Sequence, residues 1–363
     1  MRYLRSARAE AALRLIRHTD MPLANIAEIT GYGTAFHLSR EIKQICGLSP
    51  REIRQRGIHN RAPSKTMHTT NNQDRNKQFT QPPLIKKHHI LSDDLPVIDI
   101  SQLQNGPVAI RESVAREIGE ACRNTGFFYI TGHGVEQDLI KKVFDASRLF
   151  FNQPLAAKES AAMSRLGKNR GYIGLGGERL ETTSFPDNKG AFNIIPNQSP
   201  GTEGWPALPG WKDVMMAYFS KCLDIGKILH QGFARDLGVA EDFFVDKFIN
   251  PMATLRLLRY PPATKPTNRK NPAPGAGAHT DYGNVTILAV DGVSGLQVRP
   301  RGRDWIEAPL IPGTFICNIG DCLMRWSNDV YVSTPHRVVR PDRGRYSIAF
   351  FLDPDADALV EPS

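Results

Sequence analysis

From Ala253 to Leu352 the chain breaks into short apolar runs bounded by Gly, Pro, Asp or Asn, among them Val285-Thr286-Ile287-Leu288-Ala289-Val290 and Gly295-Leu296-Gln297-Val298. Runs of this length with this punctuation read as β-strands and turns. Repeated across the whole stretch, they leave an all-β barrel or sandwich as the architecture. Within it lies Gly275-Ala276-Gly277-Ala278-His279-Thr280-Asp281-Tyr282-Gly283, and 55 positions after Asp281 comes His336, in Ser333-Thr334-Pro335-His336-Arg337-Val338. Side chains two apart on a strand share a face. His279 and Asp281 are therefore expected side by side as two ligands of one metal, with His336 returning on another strand as the third. Two imidazoles and one carboxylate suit non-haem Fe(II) and leave positions open for substrate and oxygen. A lone His-x-Asp is a common accident. Here Gly275, Gly277 and Gly283 bracket the pair, where backbone must turn or approach closely.

The region before the strands reads as mixed. Asp94-Leu95-Pro96-Val97-Ile98-Asp99-Ile100 alternates apolar and polar residues, as a strand does. Arg111 to Arg123 is helical, with Val114, Ile118 and Ala121 at spacings of four and three. Gly126-Phe127-Phe128-Tyr129-Ile130 is an aromatic strand, helices follow through Phe151, and Asp213 to Leu237 is a long helix. His133, in Thr-Gly-His-Gly, is expected as a turn residue, and His230 as a surface or packed histidine of that helix.

Charge divides the chain. Residues 1–93 hold 16 Lys and Arg against seven Asp and Glu, so the whole net charge of +9 lies there and the remaining 270 residues balance. A basic segment with a helical pattern raises nucleic acid as its partner. No run approaches the about 18 apolar residues of a membrane span. The N-terminus lacks an apolar secretory core, and the five cysteines are scattered and odd in number. A reducing cytoplasm is the expectation, with no membrane partner.

The basic segment reads as helices. Arg5 to Ile16 is rich in Ala, Leu and Arg; Asp20-Met21-Pro22 opens a second helix; Gly31-Tyr32-Gly33 turns the chain; and Thr34 caps a third, with Ala35, Leu38, Ile42 and Ile45 along one face. Ile26-Ala27-Glu28-Ile29-Thr30-Gly31-Tyr32, Leu38-Ser39-Arg40 and Gly47-Leu48-Ser49-Pro50-Arg51-Glu52-Ile53-Arg54 resemble the C-terminal helix-turn-helix of AraC-type transcriptional regulators. The resemblance covers about 1–57. It implies that the helix from Thr34 to Ile45 enters a major groove, with Thr34, His37 and Arg40 nearest bases or phosphates. The family carries two such subdomains, and only the second, with its preceding helix, is found here. Half a bipartite reader makes half the phosphate contacts, so weak DNA binding and a relic of gene fusion stand as alternatives. Residues 58–93 are polar and without periodicity, as in a disordered linker.

The larger part, 94–363, resembles the isopenicillin-N-synthase-like family of Fe(II)/2-oxoglutarate-dependent oxygenases. The match runs from about 94 to 354 through Pro96-Val97-Ile98-Asp99, Gly132-His133-Gly134-Val135, Tyr260-Pro261-Pro262, His279-Thr280-Asp281, Asn318-Ile319-Gly320-Asp321, His336-Arg337-Val338 and Arg345-Tyr346-Ser347. The resemblance implies a mainly β double-stranded β-helix (jelly-roll) core over 253–352 with a helical part over 94–250. It implies His279, Asp281 and His336 as iron ligands, and Arg345 and Ser347 as the holders of the distal carboxylate of 2-oxoglutarate. Tyr260 is expected to reach the same cosubstrate. An Asn common in the family two residues earlier is Leu258 here. Arg345 suits a dicarboxylate because its planar fork pairs with carboxylates bidentately. Arg345 and Ser347, two apart, are expected to face inward from one strand, with Pro341-Asp342-Arg343-Gly344 as the turn of a hairpin from His336. By resemblance, Tyr172, Arg179 and Phe192 line the mouth of the substrate pocket.

The leading reading is an oxygenase that consumes Fe(II), 2-oxoglutarate and O2, releases succinate and CO2, and hydroxylates, desaturates or otherwise oxidises a small molecule. A family oxidase independent of 2-oxoglutarate is the alternative within the class. A DNA-binding regulator with an oxygenase-like sensor domain is the alternative outside it.

Overall fold

The computed structural model describes residues 95–166, 169–178, 187–196, 204–263 and 274–361, together with thirteen residues between Ala12 and Ile53. Thr34, His37, Arg40, Arg179 and the linker 58–93 lie outside the described residues. Contacts divide the chain into two units, Met1–Leu84 and Ile85–Ser363.

In the first unit Ala12, Ile16, Ile26, Ala27, Leu38, Ile42 and Ile53 form one buried cluster, with Leu23 packed against it. Leu38 and Ile42 stand four apart, one above the other on a helix face. Ser49 and Glu52 form a capping box: Glu52 N donates to Ser49 Oγ at 3.3 Å, and Ser49 N donates to Glu52 Oε2 at 2.7 Å. Pro50 takes the first helical position, where its missing N–H costs nothing.

The second unit opens on strand β1 (Val97–Asp99), helix α1 (Val108–Asn124), β2 (Phe127–Thr131) and α2 (Gln137–Phe151). Two short helices follow, α3 (Leu155–Ser160) and α4 (Met163–Leu166), then β3 (Gly171–Ile173), β4 (Gly190–Ile194) and the long α5 (Trp211–Leu237). The remainder is β5 (Ala253–Tyr260), β6 (Pro274–His279), β7 (Val285–Val290), β8 (Leu296–Val298), β9 (Ile306–Glu307), β10 (Phe315–Ile319), α6 (Asp321–Trp326), β11 (His336–Val339) and β12 (Arg345–Leu352). Eight strands form one sheet in the order β1-β2-β10-β7-β12-β5-β4-β3, and four form a second in the order β6-β11-β8-β9. This is the mainly β jelly-roll core with flanking helices.

Period-two alternation sorts the large sheet's side chains into two cores. On β12, Ile348, Phe350 and Leu352 join the helix-side cluster with α1, α2 and α5. Ala349, one position off, joins the cluster between the two sheets, with Tyr260 and Leu258 of β5, Phe127 and Tyr129 of β2, and Val298 and Val338 of the small sheet. Helix α5 buries Met215, Phe219, Cys222, Leu229 and Phe233, and ends at Gly238 in the left-handed conformation with Val239 N donating to Ala234 O. Gly226 lets this helix lie close on β12: an added Cβ would sit 2.4 Å from Leu352 Cδ2.

The turn after β11 is not a β-hairpin. β11 pairs with β6 and β8 in the small sheet, whereas β12 pairs with β5 and β7 in the large one. Residues 340–344 therefore carry the chain from one sheet to the other. The expected hairpin is replaced by sheet stacking, which sets Arg345 beside Gly295 and Val338: a Cβ added at Gly295 would lie 4.0 Å from Arg345 Cδ and 3.8 Å from Val338 Cγ1.

Candidate metal and cosubstrate site

His279 ends β6 and His336 begins β11, and the two are direct partners across the antiparallel pair. Their ring centroids lie 4.4 Å apart. Asp281 was expected on the same strand face as His279; the strand stops at His279, and Asp281 enters from the turn that follows. Its Oδ1 lies 3.8 Å from His279 Nε2 and 3.7 Å from His336 Nε2. Among the described residues this is the one group of three such side chains whose donor atoms fall within 4.8 Å of one another.

Each donor is oriented by a second contact. Nδ1 of His279 donates to Gly277 O at 2.8 Å, and Nδ1 of His336 to Thr334 O at 3.2 Å. That fixes the tautomer and leaves both Nε2 lone pairs aimed inward. The other carboxylate oxygen of Asp281, Oδ2, accepts from Thr286 Oγ1 at 2.5 Å and Asn318 Nδ2 at 2.7 Å. Burial alone would raise the Asp281 pKa, but the two histidines and these two donors outweigh it and hold the carboxyl below its usual range. Burial, and then the neighbouring His336, push the His279 imidazole below its ordinary value. Neutral imidazole beside ionised carboxylate is the state a metal ligates. Phe127 closes one side, its ring edge-on to His336 at 5.3 Å. The donor set thus fits a divalent metal with two nitrogens, one oxygen and open positions, the pattern of non-haem iron.

Arg345 and Ser347 do share the inner face of β12, and Arg345 Nη1 donates to Ser347 Oγ at 3.1 Å. Tyr260 is the cross-strand partner of Arg345, with the guanidinium carbon 5.0 Å from its ring centroid. Leu258 faces Ser347 in the same register. Arg345 is 1% exposed. Burial pulls its pKa down, against the opposing pull of Tyr260 and Asp291. Among the described residues no carboxylate lies within ion-pair distance of it. A buried cation without a paired anion is costly, so the pocket fits an anionic ligand group at this point. A cleft of about 690 Å³ borders the same corner, lined by Val293, Gly295, Val339 and Arg343.

The pocket-mouth expectation for Tyr172 and Phe192 needs correction. Phe192 packs on Phe150 at 4.7 Å and Trp211 at 5.3 Å, and Tyr172 on Phe150 at 5.8 Å, all in the helix-side core. The pleat turns these two outward, and their neighbours Ile173 and Ala191 face the space between the sheets. His133 Nδ1 accepts from Val135 N and its ring stacks on Phe315, in keeping with a turn residue. His230 is buried among Phe233, Phe244 and Phe248. Thr286, Asn318 and Phe127 were missed as partners of the triad. A signal was present: Asn318 is a polar residue inside the apolar run Phe315-Ile316-Cys317-Asn318-Ile319.

An iron-type triad and a buried arginine without a carboxylate partner, in a jelly roll, define a class, and sequence comparison agrees. Residues 251–354 match the 2OG-Fe(II) oxygenase superfamily, and 95–209 match the family described as non-haem dioxygenase in morphine synthesis, N-terminal. The chain belongs to the 2OG-Fe(II) oxygenase superfamily: it is a non-haem dioxygenase that uses Fe(II), 2-oxoglutarate and O2 on a small molecule. Among its relatives, a homoarginine-6-hydroxylase of Oryza sativa subsp. japonica is 37% identical, over 74% of this chain and 88% of that protein. A 2-oxoglutarate-Fe(II) type oxidoreductase of Emericella nidulans is 34% identical over 73% of this chain and 81% of its own length. The crystal structure of a full-length Neurospora crassa protein in complex with alpha-KG and thymine superposes with a TM-score of 0.68 at 31% identity, covering 75% of this chain and 89% of that one. Residues 1–56 match a helix-turn-helix domain. No helix among the described residues is long and apolar enough to cross a membrane.

Proposed function

We propose that His279, Asp281 and His336 hold the iron, that Arg345 and Ser347 with Tyr260 hold the distal carboxylate of 2-oxoglutarate, and that the enzyme oxidises a small, polar, nitrogen-bearing molecule. The observation that carries the reading is the His279–His336 cross-strand pair, with Asp281 Oδ1 within 3.8 Å of both Nε2 atoms. The substrate class draws on the relatives, one named for homoarginine and one crystallised with thymine. Iron bound there would supply oxygen activation coupled to the oxidative decarboxylation of 2-oxoglutarate. The chain's own residues do the positioning. Gly277 O and Thr334 O keep the imidazoles from turning, Thr286 and Asn318 keep Asp281 Oδ1 toward them, and Arg345 anchors the cosubstrate by charge. Phe127 keeps water from one side of His336.

We further propose three segments: a helix-turn-helix over 1–57, a linker over 58–93, and the oxygenase over 94–363, all in the cytoplasm. The concentration of the net charge in residues 1–93 favours weak DNA contact by Thr34, His37 and Arg40 as a second role. The deciding experiment incubates purified protein with Fe(II), 2-oxoglutarate and oxygen and measures succinate. Release that disappears, together with retained iron, in His279→Ala is the expected result. Normal turnover in that variant would remove the proposed triad, and no succinate from the wild type would remove the cosubstrate assignment.

A further inference from the structure

One wall of the space between the sheets carries charge that the iron and cosubstrate chemistry does not use. Arg256 lies on β5 in the same inward series as Leu258 and Tyr260, and its direct partner on β4 is Asn193. The Arg256 guanidinium pairs with Glu178, just past β3, and Glu178 Oε2 lies 3.2 Å from Lys189 Nζ. Lys189 pairs in turn with Asp187. Asp187 Oδ1 accepts from Gly277 N at 2.9 Å, the residue whose carbonyl holds His279. The wall is therefore tied directly to the strand that carries a proposed iron ligand. The Lys189 charge is one of the influences that lower the His279 pKa, after burial and His336.

Two features point from this wall to a ligand. Its charges are half-sunk, not solvated: the side chains of Lys189, Arg256 and Glu178 are 10%, 19% and 28% exposed. Asn193 is 8% exposed, and while its Nδ2 donates to Asn169 O at 3.3 Å, its Oδ1 has no hydrogen-bond partner. Buried amide oxygens are nearly always paired. An unpaired acceptor that shares the inner face with a guanidinium and a carboxylate is a place for a donor that arrives from outside.

We propose that Asn193, Arg256, Glu178 and Lys189 form the substrate-recognition subsite, and that it takes a small molecule presenting a carboxylate or amide carbonyl edge next to N–H donors. This rests on the preceding assignment of the iron and 2-oxoglutarate positions. Arg256 is a planar fork for the acceptor edge. Asn193 Oδ1 and the Glu178 carboxylate are acceptors for N–H groups. Two chemical sources share this pattern, an amino acid with a nitrogen-rich side chain and a cyclic amide. A purely apolar acid does not, because it would cover Glu178 and Asn193 without pairing them. A site built to hydrogen-bond its substrate discriminates against an analogue lacking the group by large factors.

The test is anaerobic calorimetry on the full chain loaded with Fe(II) and 2-oxoglutarate, titrated separately with homoarginine, thymine and hexanoate. One nitrogen-bearing probe is expected to bind at least tenfold more tightly than hexanoate, and which one it is separates the amino acid from the cyclic amide. Asn193→Leu and Arg256→Gln are each expected to weaken that probe at least tenfold, and by more than they weaken 2-oxoglutarate. Asn193→Asp, which keeps the acceptor, is expected to recover part of the loss and to report on the subsite if the leucine variant fails to fold. Hexanoate binding as tightly as either nitrogen probe, no binding by either one, or unchanged probe affinity in the folded variants would each overturn the subsite. Failure of the wild type to bind 2-oxoglutarate in the same cell would instead overturn the assignment on which it rests.

Discussion

Replacing Thr286 by Val removes one hydroxyl and leaves the shape of the side chain. Thr286 lies on the inner face of β7, 5% exposed, opposite Asn318 of β10 and Phe351 of β12. Both residues are β-branched and suit a strand equally. The structural loss is therefore confined to the 2.5 Å bond from Thr286 Oγ1 to Asp281 Oδ2. A hydrogen bond to a charged group contributes about 1.5–3 kcal/mol. At about 1.4 kcal/mol per decade that predicts a loss of roughly tenfold to a hundredfold in metal affinity. Asn318 remains, which keeps the carboxylate in place but free to turn. The pH dependence has a definite sign. The native Asp281 carboxyl is held below its usual range, and one of the donors that hold it there is Thr286. In the variant its pKa rises, so protons compete with the metal at higher pH, and the affinity deficit widens as pH falls toward the carboxylate range. The assay is anaerobic titration of metal-free protein with Fe(II) across that range, with thermal melting as the check on folding and Thr286→Ser as the rescue. A folded valine variant that binds Fe(II) within about twofold of wild type would refute the role given to this hydroxyl.

Arg345→Met is expected to abolish the stabilisation of the protein by 2-oxoglutarate and to raise the KM for it by at least about 30-fold, since truncating a buried charge partner costs about 2–5 kcal/mol; a ligand-induced melting shift equal to wild type would contradict this. His230 is buried and its pKa is pushed down to about 4 by burial. The unfolded chain takes up a proton at this residue near pH 6.5 and the folded one does not. Stability from His230 is thus complete above about pH 6.5 and declines on the order of 3 kcal/mol by about pH 4; a His230→Phe variant with the same acid slope as wild type in urea titrations would exclude it. Deletion of residues 1–57 is expected to leave succinate release intact and to remove salt-sensitive DNA binding; DNA binding that survives the deletion would place the contact elsewhere.

Much of the site was legible in the sequence because spacing encodes faces. Arg345 and Ser347, two apart in an apolar run, do lie together on the inner face of β12, as period two requires. The same rule misled at His279-Thr280-Asp281, because β6 ends at His279 and the carboxylate arrives from the following turn. Local spacing cannot reveal that His279 faces His336 across two strands; that register is a tertiary fact. Tyr172 and Phe192 failed for a related reason. A short buried strand such as Gly190–Ile194 is covered on both faces, so the pattern names no inner side, and large aromatics went to the helix-side core. The Pro341–Gly344 turn looked like a hairpin because nothing local distinguishes a return within one sheet from a passage to another.

The pairing of His279 with His336 spans 57 residues of chain, and that of Tyr260 with Arg345 spans 85. Contacts of such sequence separation close slowly, after the loop entropy between them has been overcome. No fragment of the chain made early in synthesis holds either pair, so with the site residues proposed above, metal and cosubstrate would have nothing to grip until both sheets are built and stacked. Each then binds the native state alone, and at a hundred times its dissociation constant each adds about 2.7 kcal/mol to the unfolding free energy. Cellular iron and 2-oxoglutarate would thus govern how long the protein survives proteolysis as well as how fast it turns over.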